Sequence, residues 1–165
     1  MSEAAIRTTI NRAIKTFVAS VEKEQGFRVL RKPVTYEDFL SNKLLLVHAI
    51  ERGIPYSLFQ LIAQETPFSD TDWAGFLNLS TKSLQRYRAA DDYAFKPVQS
   101  EKILALAEVT YLGKGVFGDS EKFYRWLTTP NYALGNLKPL ELLKSSYGQD
   151  LVTDELHRID EGIFV

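Results

Sequence analysis

The stretch FGDSEKFYRWLTTPNYALGNLKPLELL, from Phe117 to Leu143, decides how this chain is read. It holds one of the two tryptophans, two of the six prolines and two of the nine glycines. Their order spells helix, break, turn, helix. Asp119 or Ser120 caps a helix, and Glu121 sits favourably against its N-terminal dipole. Phe123, Trp126 and Leu127 form the buried side, and Pro130 prevents the helix from continuing. Asn131 and Gly135 flank a turn containing Leu134. Pro139 opens the next helix, with Leu140, Leu142 and Leu143, and Gly148 terminates it. So much fixed shape, with no nucleophile, metal cluster or phosphate loop, points to a surface built for another macromolecule.

Downstream, Val152, Leu156 and Ile159 mark a last helix, with Gly162 after it. The sequence then ends on Ile163-Phe164-Val165 without a polar tail. Burial of these three in the chain's own core and insertion into a partner are both open readings. Upstream, Ser100–Leu112 reads as a helix with Ile103, Leu104, Ala107 and Leu112 on one side, ended by Gly113. Gly113-Lys114-Gly115-Val116-Phe117-Gly118 matches G-x-G-x-x-G, but the dinucleotide fingerprint needs a strand before it, and a helix stands there instead. The glycines are read as helix punctuation.

The second informative stretch is DTDWAGFLNLSTKSLQRY, Asp70 to Tyr87. Ser69 and Asp72 make a capping box. Trp73, Leu77, Leu79, Leu84 and Tyr87 are its apolar positions, and Ala74 is small where two helices cross. Asn78 stands where the chain must turn, and asparagine tolerates the left-handed conformation. Ser80 caps a second short helix. This order resembles a helix-turn-helix. Thr81, Lys82, Gln85, Arg86 and Arg88 face outward, and these are types that reach base edges or phosphates. A plain packed helix pair with a basic face is the competing reading.

The N-terminal third is helical as well. Ile6, Ile10, Ile14, Phe17 and Val21 recur at spacings of 4, 4, 3 and 4, one face of an amphipathic helix. That face is either docked on its own domain or a dimer seam. Gly26 ends the helix, and Phe27–Pro33 reads as a linker or short extended piece. Thr35 and Asp38 form a capping box, opening a helix whose buried face is Phe39, Leu40, Leu44, Val47 and Ile50. Gly53 stops it, and Pro55 suits the first turn of a helix carrying Leu58, Phe59 and Ile62. His48 reads as a half-buried histidine, because no second ligand lies at helical spacing from it.

The bulk numbers fit an all-α, multi-helix globular chain. Its 165 residues are 45% hydrophobic and 12% aromatic, well above the disordered range. Net charge is -1, and up to Pro97 there are 13 basic against 11 acidic residues, with 7 against 10 beyond it. The mild split lacks the strongly basic face of a monomeric nucleic-acid binder. There is no cysteine, hence no thiolate metal site or disulfide framework. The first residues lack the continuous apolar core of a signal peptide, and no run approaches a membrane span. A soluble cytoplasmic protein without a cofactor is expected.

Assembled, these residues resemble the Xre-type antitoxins of the MbcA/ParS/Xre family, partners of RES-domain toxins. The resemblance covers roughly residues 54 to 165. It rests on VFGD at Val116–Asp119, Trp126-Leu127, Pro130-Asn131, Ala133-Leu134-Gly135 and Pro139-Leu140. Gly148 and the closing Leu156-His157-Arg158-Ile159 with Gly162-Ile163 complete it. The stretches LSTKSLQRYR and SEKILALAEV resemble the family's helix-turn-helix half. Three parts are expected: residues 1–34, an N-terminal helix and linker outside the resemblance, with dimerisation as one of its two open readings; 35–100, the helix-turn-helix domain; and 101–165, the toxin-binding domain. The resemblance implies an antitoxin that covers the active site of a toxin similar to ADP-ribosyltransferases, which consumes NAD+. It also implies a homodimer that binds its own promoter as operator DNA. The residues it points to for the toxin are Trp126, Asn131, Leu134, Leu156, Arg158, Ile163, Phe164 and Val165. One departure stands out: the family's recognition helix commonly carries an Arg pair, whereas here Arg86 is followed by Tyr87 and then Arg88.

Two other functions compete. One is a helix-turn-helix regulator without a toxin partner. The other is an enzyme, for which no carboxylate pair or Ser/His/Asp order stands out, since His48 and His157 are far apart.

Overall fold

A computed structural model describes residues 2–32 and 35–163. Among the described residues the regular structure is helical, and the β-type pairing consists of two isolated bridges, Pro55 with Ala94 and Asn131 with Leu137. The all-α expectation holds.

Helix α1 (Glu3–Gln25) is capped by Ser2 and ended by Gly26, whose φ of 61° places it in the left-handed region. Its residues Ile10, Ile14, Phe17, Val18 and Val21 are buried, at 0–5% exposure. They pack against α2 (Tyr36–Ser41), α3 (Lys43–Arg52) and α4 (Tyr56–Gln64). The apolar seam is therefore docked inside the chain and is not free to zip against a second copy. Of the expected linker Phe27–Pro33, residues 27–32 are described and form no strand: Phe27 stacks on His48 with ring centroids 4.0 Å apart, and Val29 N–H donates to the Glu22 carboxylate at 3.0 Å.

The helix expected from Thr35 to Gly53 is two. Its capping box forms as anticipated, but Asn42 leaves helical geometry and accepts a hydrogen bond from Leu45 N–H at 3.1 Å, starting α3 afresh. That break turns the face of α3. Leu45, Leu46 and Ala49 point inward, while Leu44 and Val47, expected in the core, are 59% and 53% exposed.

A clasp joins Gly53–Tyr56 to Tyr93–Phe95. Phe95 N–H donates to Ile54 C=O at 2.8 Å, and Tyr56 N–H to Tyr93 C=O at 2.9 Å. Buried Ser100 closes it, accepting from Ile54 N–H at 2.9 Å and donating to Phe95 C=O at 3.2 Å. Gly53 is required there: its φ is 89°, and a Cβ would press on the Phe95 carbonyl.

Between these loops stand α5 (Asp70–Phe76) and α6 (Thr81–Ala89). Phe59, Phe68, Trp73 and Phe76 pack edge to face, with centroids 5.0–6.0 Å apart. Next, α7 (Pro97–Phe117) runs through Gly113 and Gly115 and stops at Gly118, five residues past the expected end, Gly113. A Cβ at Gly113 would overlap the Phe123 ring. Gly113 is thus a helix-crossing position, which disposes of the phosphate-loop reading structurally. The domain boundary expected after residue 100 falls inside α7.

The last third follows its anticipated order. Asp119 caps α8 (Ser120–Leu127), a 3-10 turn covers Tyr132–Leu134, and α9 (Pro139–Leu142) leads to α10 (Ser146–Asp160). Gly148, expected to end a helix, instead lies in the first turn of α10. A Cβ there would land on the Leu142 carbonyl. Val152, Leu156 and Leu143 are completely buried, and the ammonium of half-buried Lys102 on α7 donates to Leu143 C=O.

In an ordinary helix interior Gly→Ala gains up to about 1 kcal/mol. At Gly148 the obstacle is backbone, which cannot yield as a side chain does. Gly148→Ala is expected to destabilise the chain by about 1–3 kcal/mol, the usual range for overpacking, as a lower urea midpoint with an unchanged slope.

Candidate functional site

Two surfaces present side chains that the fold does not use for its own packing. The first is built by α5 and α6. Leu77–Ser80 turns the chain, with Asn78 at a φ of 54°, the left-handed conformation that asparagine tolerates. Ser80 accepts from Ser83 N–H at 3.0 Å and starts α6. Leu84 is buried against the body, and Thr81, Lys82, Gln85, Arg86 and Arg88 are all exposed. The structure thus brings the five predicted side chains onto one short helix that carries no acidic residue.

The departure at Tyr87 has a structural use. Tyr87 stacks on Tyr93, with centroids 3.7 Å apart and planes 6° apart. The Arg86 guanidinium lies 5.4 Å from the Tyr87 ring centroid, within cation–π range. Hydrogen bonds from Tyr93 and Arg86 draw the Tyr87 phenol below its usual pKa. Burial, then the hydrogen bond to Tyr87, pushes Tyr93 up to about 12. The pair holds the root of Arg86 against the Tyr93 loop.

The second surface belongs to residues 120–163. Asn131 makes its turn: its side chain accepts from Ala133 N–H at 2.9 Å, and its backbone N–H donates to Leu137 C=O at 3.0 Å. Gly135 and Asn136 follow with φ of 71° and 62°, two consecutive left-handed residues that reverse the chain. Trp126 is half-buried, 5.5 Å from Phe117 and 6.4 Å from Phe123 between centroids. Leu134 is 9% exposed and Leu156 is 0% exposed. Both side chains pack in the core behind this surface. Arg158 is exposed and pairs with Glu155 at 3.7 Å. Ile163 is 51% exposed, so it is not buried in the core. Phe164 and Val165 lie outside the described residues.

Four exposed apolar residues escaped the sequence reading: Tyr132, Leu137, Tyr147 and Leu151, at 80%, 47%, 85% and 52% exposure. Tyr147 and Leu151 had a legible signal. They are four apart and one position ahead of the buried stripe Gly148, Val152, Leu156, so they share a second, outward face of α10. With Ile163, this surface holds five of the ten large apolar side chains exposed among the described residues. Groups of three or more His, Cys, Asp or Glu able to hold a metal ion are absent among the described residues.

Comparison with known proteins bears on both surfaces. Residues 45–108 match the antitoxin Xre-like helix-turn-helix domain. Residues 113–162 match the antitoxin Xre/MbcA/ParS C-terminal toxin-binding domain. Antitoxin Xre of Yersinia enterocolitica is 28% identical over 125 residues, which are 75% of this chain and 84% of that protein. The Prs ADP-ribosylating antitoxin of a Sphingobium species is 30% identical over 97 residues, covering 53% of this chain and 60% of that one. A chain in the crystal structure of the M. tuberculosis MbcT-MbcA toxin-antitoxin complex superposes with a TM-score of 0.51 at 18% identity, over 67% of this chain and 96% of its own, a likeness of fold. The two matched domains, an Xre-like helix-turn-helix domain and an Xre/MbcA/ParS-type C-terminal toxin-binding domain, stand in the order that the fold displays.

Proposed function

We propose that this chain neutralises a RES-domain, NAD+-consuming toxin by seating the 120–163 face over the mouth of the toxin's active site. The observation that carries this reading is the set of exposed apolar side chains Tyr132, Leu137, Tyr147 and Leu151, which fall within the matched toxin-binding region, with Ile163 one residue beyond it. Large aromatic and aliphatic side chains left in water, with charges such as Arg158 and Asp154 beside them, are the anatomy of an interface with an apolar centre and a polar rim. Turn residues such as Asn131, Gly135 and Asn136 hold that face in shape, so little ordering cost is left for binding. The solved complex of an antitoxin with its toxin, which shares the fold, supports occlusion by binding rather than chemistry by this chain. Trp126, Asn131, Leu134 and Leu156 act as supports in this reading, and Arg158 and Ile163 as contacts.

The same chain binds operator DNA through α6, as a homodimer whose two recognition helices address a palindromic site. The five exposed donors on that helix favour this second activity. Because the apolar face of α1 is already packed internally, the dimer contact lies elsewhere. A regulator without a toxin partner would leave the 120–163 apolar face without a use.

Co-expression with a RES-domain toxin tests the main claim. Tyr147→Asp together with Leu151→Asp is expected to abolish co-purification and rescue of growth while leaving helical content and Tm unchanged; rescue equal to the parent chain would refute the face. For DNA, Arg86→Ala is expected to weaken operator binding by ~1–3 kcal/mol and relax specificity at one position. Lys82→Ala is expected to weaken all sequences alike and lower the salt slope by about one. Mobility-shift titrations at several salt concentrations measure both.

A further inference from the structure

We infer that the cleft between the start of α1, the start of α2 and the C-terminal half of α7 is a binding site for a small anionic molecule, one presenting a phosphate or carboxylate group. The inference is independent of the toxin and DNA surfaces.

The cleft has a volume of about 460 Å³, in the range of metabolite pockets. At its base is Glu65, only 6% exposed, with Arg7 Nε at 3.4 Å and Lys114 Nζ at 3.6 Å from the same carboxylate oxygen. These separations exceed the ~2.7–2.9 Å of a charge-assisted hydrogen bond. Lys114 also reaches the Glu65 backbone carbonyl, at 3.4 Å, while Arg7 Nε is buried without a hydrogen-bond partner. Two cations share one carboxylate and keep donor capacity in hand.

Two hydroxyls add to it. Thr110 is 3% exposed, and its Oγ1 has no partner. A threonine inside a helix ordinarily returns its hydroxyl to the carbonyl four residues back, as Thr8, Thr9 and Thr16 do in α1. Thr110 forgoes that bond and lines the cleft. A buried polar group without a partner costs free energy, and a ligand acceptor would supply the missing bond. Tyr36, also lining the cleft, is 4% exposed. Burial, and then the Glu65 charge, raise its phenol pKa far above the ordinary value, so it remains a protonated donor.

Unused capacity around the cleft floor is thus donor capacity: guanidinium, ammonium and two hydroxyls, with the inner carboxylate already neutralised. An acceptor-rich anion complements it. Glu3 and Asp160 also line the cleft but are exposed, where water screens them. Glu108 and Glu37 act on Tyr36 and Tyr111, so the anion is held by the buried donors and not by net charge. The walls come from three parts of the chain. Arg7 lies before both matched domains, Glu65 in the helix-turn-helix domain and Lys114 in the toxin-binding domain. A bound anion would tie all three together and stabilise the chain by mass action.

The test uses the full chain with inorganic phosphate and, separately, succinate, each against sodium chloride of equal ionic strength. The expected result is a saturable rise in Tm with either or both anions, and amide NMR shifts centred on Arg7, Glu65, Thr110 and Lys114. A phosphate-only or succinate-only response identifies the group taken. Thr110→Val is expected to weaken the apparent affinity about five- to ten-fold, the worth of one hydrogen bond, while leaving the anion-free Tm equal or higher. Lys114→Met is expected to abolish the response. A response no larger than that to chloride, or one unchanged in both variants, would overturn the site.

Discussion

Helix α7 is buried over most of its circumference. Ser100, Ile103, Leu104, Leu106, Ala107, Val109, Thr110 and Gly113 are buried, and it packs on α2, α3 and α4 and also on α8 and α10. Residues such as Glu101, Tyr111 and Gly115 are exposed, and covering so wide an apolar face takes elements from both halves of the chain. Ser100 shows how close the fit is. Its hydroxyl sits at 0% exposure and is tolerated because it bonds both the Ile54 amide and the Phe95 carbonyl. The helix-turn-helix and the 120–163 module are therefore built on one shared beam. Helix α6 and residues 120–163 are joined through that beam, not through a linker.

The C-terminal module reaches its shape by close approach rather than bulk. Gly113 admits the Phe123 ring, and Gly148 admits the Leu142 carbonyl. With α8 and α9 drawn in this tightly, Leu127, Leu143, Val152 and Leu156 close a small core at 0% exposure. What remains outside includes Tyr132, Leu137, Tyr147 and Leu151. Here packing decides the surface: the glycines set the distances, the distances bury one stripe of α10, and the neighbouring stripe is left exposed. On the opposite edge, Tyr87 and Tyr93 do comparable work for Arg86, offering an aromatic support to a guanidinium on an otherwise mobile type of side chain.

The sequence determined whatever depends on a few neighbouring residues. Capping at Thr35, Ser69, Ser80 and Asp119, the left-handed turn at Asn78 and the outward set from Thr81 to Arg88 are local facts, set by side-chain-to-backbone bonds within three or four positions. The ordered pieces from Val116 to Ile163 were legible too, and carried the resemblance before any coordinate did. Tertiary structure decided whatever depends on what lies across the gap. Leu44 and Val47 are as apolar as Leu45 and Leu46, and only the break at Asn42 sends them outward. Gly113 and Gly148 look like helix stops, because glycine usually is one; a ring and a carbonyl from distant elements make them helix crossings. The side chains of Leu134 and Leu156 pack in the core. The cleft at Glu65 joins residues 7, 36, 65, 110 and 114, separations over which no sequence periodicity operates, so only the folded chain brings those groups together.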